Sequence, residues 1–490
     1  MSLAFKKSLS LSLLSMSLVA CSPWQIYHKP AIDLPVTWQE GWRPATPQDS
    51  VPKGEWWLLF NDAELTRLSQ AAIAHNQSLK AAFASVQQAR ALSRVSQAAL
   101  YPSLDFAATA SRTQPSANRP NNARNASVSA NIQQNINPVF VAGYEVDLFG
   151  RIAHDIESAK TSLQQSQADF ENLKLVLTAD VASNYFNLRE LESELDILKQ
   201  SIELQTKAVK FAKTRHEDGV ATGLDTIQQQ ALLSKTQAQL SLTQRQRDIT
   251  LHALATLTGS TVNNFKVING NLPTAIPEIP IGLPADALER RPDVAATERA
   301  VAIANIQIGV AKAAWYPSLR LSATRGWQST TAANLFDAPS VVWSLGISLA
   351  QTIFDSGRNQ AQIEFAKAGH ELASAEYRQT VLNALQEVED GLSTGRSLTD
   401  SLRDLQAAEA ASAKAAEMID DRYKGGIASV LELISARQVL LDNQRQLQVV
   451  RGQQLVNAVF LIKSLGGGWQ NTLPVQNSQN DTKKTVKSVD

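Results

Sequence analysis

The sequence predicts a mixed α/β membrane protein made by internal duplication, each half holding a pair of membrane-length strands and a long helical hairpin. Three observations predict it. Positions 98–104 read AALYPSL and positions 313–319 read AAWYPSL, each followed by an alternating segment, a polar loop, a second alternating segment and a Phe-bearing Gly-Arg stop. Positions 151–218 contain neither Gly nor Pro, enough for a single helix of roughly 100 Å at 1.5 Å per residue. The only cysteine, Cys21, closes a short apolar leader. A repeat of half the chain exceeds any solenoid unit, so the duplication is of a half-protein.

Residues 1–20 read as a lipoprotein signal peptide. Lys6 and Lys7 give the charged start, an apolar stretch follows, and Leu18-Val19-Ala20-Cys21 has the form of a bacterial lipobox. Cys21 is therefore the expected lipidation site, carrying palmitate as the first mature residue. Ser22 follows it rather than the Asp associated with inner-membrane retention. Beyond the acylated Cys21 the mature chain then has no cysteine, which excludes disulfides within the chain, thiol nucleophiles and cysteine metal sites. With 44% hydrophobic and 19% charged residues and a net charge of zero, the chain can bury a core and shows no nucleic-acid footprint.

Residues 21–61 form an extended segment rich in Pro and Trp. The first repeat spans 62–272 and begins with Asp62 as a helix N-cap. Pro102 forces extended geometry, after which Leu104, Phe106, Ala108 and Ala110 alternate with polar residues. Phe140, Ala142, Tyr144, Val146 and Leu148 form the second alternating set. Residues 273–291 are a proline-rich linker, and the second repeat spans 292–470. Its helix starts at Pro292-Asp293, and its strands are marked by Leu319, Leu321, Ala323 and by Trp343, Leu345, Ile347, Leu349. Residues 471–490 are a polar tail, expected to be disordered. Each strand is about 9–11 residues long with one apolar face, as a tilted membrane strand requires. Four strands cannot close a barrel, and an open edge cannot lie in lipid, so several chains must share one barrel.

The helical runs predict coiled packing. Leu188, Leu191, Leu195, Leu198, Ile202, Gln205, Val209, Ala212 and His216 recur at alternating steps of three and four, which is a heptad seam. Gly219 and Gly223 mark the tip of the first hairpin, and Gly425 and Gly426 mark the second. Gly369, Gly391 and Gly395 are expected to weaken the second hairpin locally.

The lipobox, Trp56-Trp57 with Phe60 and Asp62, the two YPSL copies, Asp147-Leu148-Phe149-Gly150-Arg151 and the block Leu288-Glu289-Arg290-Arg291-Pro292-Asp293-Val294 together resemble the outer membrane factor lipoproteins of the TolC-like, NodT type. These are the outer membrane components of tripartite efflux pumps. The resemblance covers about 22–470 and departs from the family pattern at Tyr144 and Thr352. It implies a homotrimer with a 12-stranded outer membrane β-barrel and a periplasmic α-barrel. It also implies two kinds of partner: a periplasmic membrane-fusion adaptor and an inner-membrane pump of the RND or another class. By the same resemblance Asp225 and Glu432 occupy acidic gate positions, Ser435 stands where relatives have a further acid, and Tyr423 matches a latch tyrosine. The basic residue often found at the position of Ala428 is absent.

No catalytic constellation, cofactor motif or metal-ligand spacing is present; His28, His75, His154, His216, His252 and His370 are scattered. Gly466-Gly467-Gly468 follows a helix and reads as its stop. Arg112, Arg119 and Arg124 fall in or beside the first strand-connecting loop, where solubility or contact with lipopolysaccharide would use them. The expected function is thus a passive efflux duct for drugs or other small toxic molecules. The alternative is a lipid-anchored periplasmic hairpin adaptor without a pore.

Overall fold

The computed structural model describes residues 27, 29–30, 54–116, 132–268, 270–277, 279 and 290–467. Cys21, the linker core, Arg119, Arg124 and the polar tail lie outside these. The element order repeats itself. The first half has helices Ala63–His75 (α1) and Gln77–Ala98 (α2), strands Ser103–Thr113 (β1) and Gln133–Val146 (β2), and helices Arg151–Glu217 (α3) and Gly223–Leu257 (α4). The second has helix Pro292–Ala313 (α5), strands Ser318–Trp327 (β3) and Val341–Ala350 (β4), and helices Arg358–Lys424 (α6) and Val430–Ser464 (α7). The duplication extends to length: α3 and α6 are each 67 residues, and α4 and α7 are each 35.

Two compact units emerge, each assembled from both halves. One comprises 1–33, 82–169 and 295–380 and holds the sheet. Its strands lie in the order β1-β2-β3-β4, all antiparallel. The register puts Leu104, Phe106, Ala142, Tyr144, Leu319, Leu321, Leu345 and Ile347 on one face. Asp105, Asn137, Glu145, Arg320, Ser322 and Ser344 share the other. Leu345 and Ile347 are 77% and 78% exposed, so the apolar face is bare in the single chain. Strands of 10 to 14 residues match a tilted bilayer crossing. No described helix is long and apolar enough to cross a membrane.

The other unit comprises 34–81, 170–294 and 381–490. Its core gathers Trp56, Trp57, Phe60, Leu65, Leu68, Tyr185, Phe186, Leu254 and Ile462. Trp56 Nε1 donates to Thr178 Oγ1 at 3.2 Å, and Phe60 meets Phe186 at 4.9 Å. Asp62 does cap α1, accepting from the Glu64 and Leu65 amides, and its second oxygen accepts from the Tyr185 hydroxyl at 2.7 Å.

Two features of the helices lie beyond the sequence pattern. The first helical run is broken at Asn76, whose extended backbone ends α1 while its side-chain oxygen accepts from the Leu79 amide and its amide donates to the Leu257 carbonyl. The glycines at 369, 391 and 395 do not interrupt α6, which runs unbroken through all three. At Gly391 the absence of a side chain admits Leu461 of α7, because a Cβ there would lie 2.5 Å from Leu461 Cδ2. The heptad seam is as expected: Leu188, Leu198, Gln205 and Ala212 are buried, and only His216, at the tip, is exposed.

Candidate functional site

The two hairpin tips are built on one plan. At the end of α3 the Val220 amide donates to the Arg215 carbonyl at 2.9 Å, and at the end of α6 the Ile427 amide donates to the Arg422 carbonyl at 2.8 Å. Gly219 and Gly426 make the reversal possible, with φ of +78° and +76°, the left-handed conformation that a Cβ disfavours. The next helices begin at matching N-caps, Thr222 and Ser429, with φ of −80° and −79°.

Asp225 and Glu432 each stand three residues beyond those caps, where the helix dipole favours an anion. Their local bonding differs. Glu432 completes a capping box: its carboxylate accepts from the Ser429 amide at 3.0 Å, and its own amide donates to Ser429 Oγ at 3.2 Å. Asp225, one methylene shorter, instead accepts from the Thr222 hydroxyl at 3.2 Å. Ser435 lies one turn beyond Glu432, and both are exposed. With Ile419, Leu431 and Val439 they line a groove of about 440 Å³.

Tyr423 is buried instead, 5% exposed, among Val430 and Leu433. The Arg215 guanidinium lies over its ring at 5.5 Å, and Phe211 meets it edge-on at 6.1 Å, so Tyr423 ties the end of α6 to the end of α3. Burial pushes the phenol above its ordinary pKa; the Arg215 charge opposes this and the Asp225 charge adds to it.

A cation cluster that the sequence reading did not pick out completes the second tip. Arg437 of α7 and Lys424 of α6 both bind Asp420, Lys424 at 2.6 Å. Burial works against the Asp420 carboxylate, but hydrogen bonds and charges from Lys424 and Arg437 hold it below the usual carboxylate range. The Asp420–Lys424 pair has the i,i+4 spacing readable in a helix. Arg437 reaches it only because the hairpin folds back. No group of His, Cys, Asp or Glu among the described residues is arranged to hold a metal.

This arrangement of strands, helices and tips has known counterparts. The sequence matches the family model described as outer membrane efflux protein over residues 68–260 and 283–467. The chain belongs to the outer membrane efflux protein family. It is 31% identical over 472 residues to the pyoverdine export outer membrane protein OpmQ of Pseudomonas putida, covering 94% of this chain and 98% of that one. It is 28% identical to the toluene efflux pump outer membrane protein TtgC of Pseudomonas putida, covering 97% and 98%. The outer-membrane channel OprN superposes with a TM-score of 0.79 at 27% identity, covering 90% of this chain and 99% of that one. VceC of Vibrio cholerae gives 0.76 at 25%, covering 86% and 100%. This efflux protein therefore has the TolC-like fold, is located in the outer membrane with a periplasmic helical extension, and acts as an efflux channel.

Proposed function

We propose that this outer membrane efflux protein is a homotrimeric, non-catalytic exit duct whose periplasmic mouth is ringed by Asp225 and Glu432. One observation carries the shared barrel: a four-stranded sheet with a largely apolar face and two edges, β1 and β4, each paired on one side only. In lipid those edges need partners, and three copies supply the twelve strands of one barrel. An adaptor and an inner-membrane pump would deliver cargo to the helical end. The relatives' names point to small molecules as cargo, pyoverdine for one and toluene for another.

The residues of the mouth follow from the tips. Asp225 and Glu432 occupy equivalent positions in the two repeats, so a trimer would bring six carboxylates to its entrance. Tyr423 with Arg215 would hold the hairpins together there, and exposed Ser435 would widen the polar ring. Cys21 would carry the acyl chains that tether each subunit, and 62–272 and 292–470 would be the duplicated modules. Native mass measurement of detergent-extracted protein, paired with planar-bilayer recording, tests the duct. A trimer with discrete conductance supports it, whereas a monomer without conductance would favour the pore-less scaffold. Cys21→Ser should lose incorporated palmitate; label retained by that variant would refute the anchor.

A further inference from the structure

Two cations stand on the apolar face of the sheet, Arg112 at the loop end of β1 and Arg325 within β3, and only Arg325 lies among aromatic rings. The register aligns Phe106 of β1, Phe140 of β2, Arg325 of β3 and Trp343 of β4 in a single cross-strand row. All four belong to the apolar face, which elsewhere carries Leu104, Ala142, Leu321, Ala323, Leu345 and Ile347. Phe106 and Phe140 contact each other at 5.1 Å, and Trp343 is 72% exposed. The opposite face shows what an arginine in this sheet ordinarily does. Arg320 there pairs with Glu145 at 3.4 Å. Arg325 is exposed and makes no ion pair among the described residues.

Its height in the membrane follows from the topology. All four strands join their helices at the Ser103, Val146, Ser318 and Ala350 ends, so in a channel with periplasmic helices the opposite ends face outward. Arg325 lies near the outward end of β3, about 20 Å along the strand from Leu319 at about 3.4 Å per residue. Beyond it on the same strand is Trp327, whose ring meets Phe336 at 5.4 Å. Exposed Trp and Phe in such a band mark the boundary between hydrocarbon and headgroups in membrane barrels. A bare guanidinium is costly at mid-bilayer and nearly free at this boundary, where a counter-charge is available.

We propose that Arg325 binds a phosphate of an outer-leaflet lipid headgroup, the lipid's acyl chains lying on Phe140, Leu345 and Ile347 below it. The guanidinium fork matches phosphate oxygens bidentately, and the flanking Phe140 and Trp343 rings screen that pair from water. Charge complementarity selects this occupant: a second protein chain on this face would have to cross the hydrocarbon, and a neutral lipid would leave the cation unpaired. The inference rests on the outer membrane location and on no property of the hairpin tips.

The test uses the full-length purified protein in detergent, titrated with bisphosphorylated lipid A, with the same lipid enzymatically dephosphorylated, and with inorganic phosphate, read by native mass spectrometry. Wild-type protein should retain the bisphosphorylated lipid at least about tenfold better than the dephosphorylated form, and Arg325→Leu should lose that preference. Arg325→Lys should keep part of it, since charge persists while the fork is lost. Millimolar inorganic phosphate should fail to displace the lipid. Equal retention of the two lipids by wild-type protein would overturn the proposal, without any variant needing to fold. So would undiminished preference in a folded Arg325→Leu protein. Full displacement by inorganic phosphate would reassign the site to a free anion and equally defeat the lipid reading.

Discussion

Gly391 of α6 and Leu461 of α7 approach so closely that a Cβ on residue 391 would fall 2.5 Å from Leu461 Cδ2 and 2.9 Å from its Cγ. The Asn457 side chain seals the contact by donating to the Gly391 carbonyl at 3.0 Å. Gly391→Ala should therefore destabilise, even though alanine favours helix by about 1 kcal/mol. Overpacking typically costs about 1–3 kcal/mol, and that term should win. Thermal unfolding of the detergent-solubilised protein would show a lowered midpoint, and Leu461→Ala in the same chain should cost less than the two changes added. An alanine variant as stable as wild type would mean that the helices shift apart freely.

That contact also shows where sequence reading stops. The heptad seam of α3 was legible because burial repeats along one helix, and the tips were legible because the two halves restate each other. Membrane strands were legible from alternation plus length. Gly391 looked like a weakness because its reason lies on another helix, 70 residues away in sequence. The break at Asn76 was missed for a similar reason: its second hydrogen bond goes to Leu257. Asp225 and Glu432 could be paired by repeat position, but the capping box that distinguishes Glu432 depends on a Ser in place of Thr and one further methylene. Arg325 passed unnoticed because only the register reveals that it shares a face with Phe140 and Trp343.

Glu190 should make stability depend on pH. Burial pushes its carboxyl up to about 7, with the Glu194 charge adding to the rise and the Arg445 charge opposing it. Across from it lies Gly452 of α7, where a Cβ would come within 2.8 Å of the Glu190 side chain. Arg445 is committed to Glu194, which accepts from its Nε at 2.7 Å. Between about pH 4.5, the ordinary value, and about 7, the folded protein holds a proton that the unfolded chain has released. Stability from this group is thus present at low pH and falls as pH rises through that window, flattening above it. Glu190→Gln, which mimics the protonated form, should match wild type near pH 4.5 and exceed it near pH 8. Parallel pH profiles of unfolding midpoint for the two proteins would contradict this.

The capping box at Glu432 separates a structural role from an electrostatic one. Ser429→Ala removes the acceptor for the Glu432 amide and should cost about 1 kcal/mol of local stability. Glu432→Gln keeps an oxygen able to accept from the Ser429 amide, so helix α7 should remain capped. Hydrogen exchange at residues 430–433 would read the difference, with faster exchange expected only in Ser429→Ala. Equal acceleration in both variants would assign the Glu432 charge, and not merely its geometry, to the cap.

With that cap preserved, charge at the mouth can be changed without unfolding it. Asp225→Asn together with Glu432→Gln removes two charges per chain, six in a trimer. If those carboxylates ring the narrowest point, wild-type channels in planar bilayers should prefer cations and be blocked by divalent or trivalent cations added from the helical side. The double variant should lose most of that preference and bind the blocking cation at least about tenfold more weakly. The Asp420 cluster is a useful control, because its carboxylate is already neutralised by Lys424 and Arg437 and held below the usual range. Asp420→Asn should therefore disturb the tip's stability more than its selectivity. Unchanged selectivity and block in the Asp225→Asn, Glu432→Gln channel, with the oligomer intact, would place the constriction elsewhere while leaving the duct itself in place.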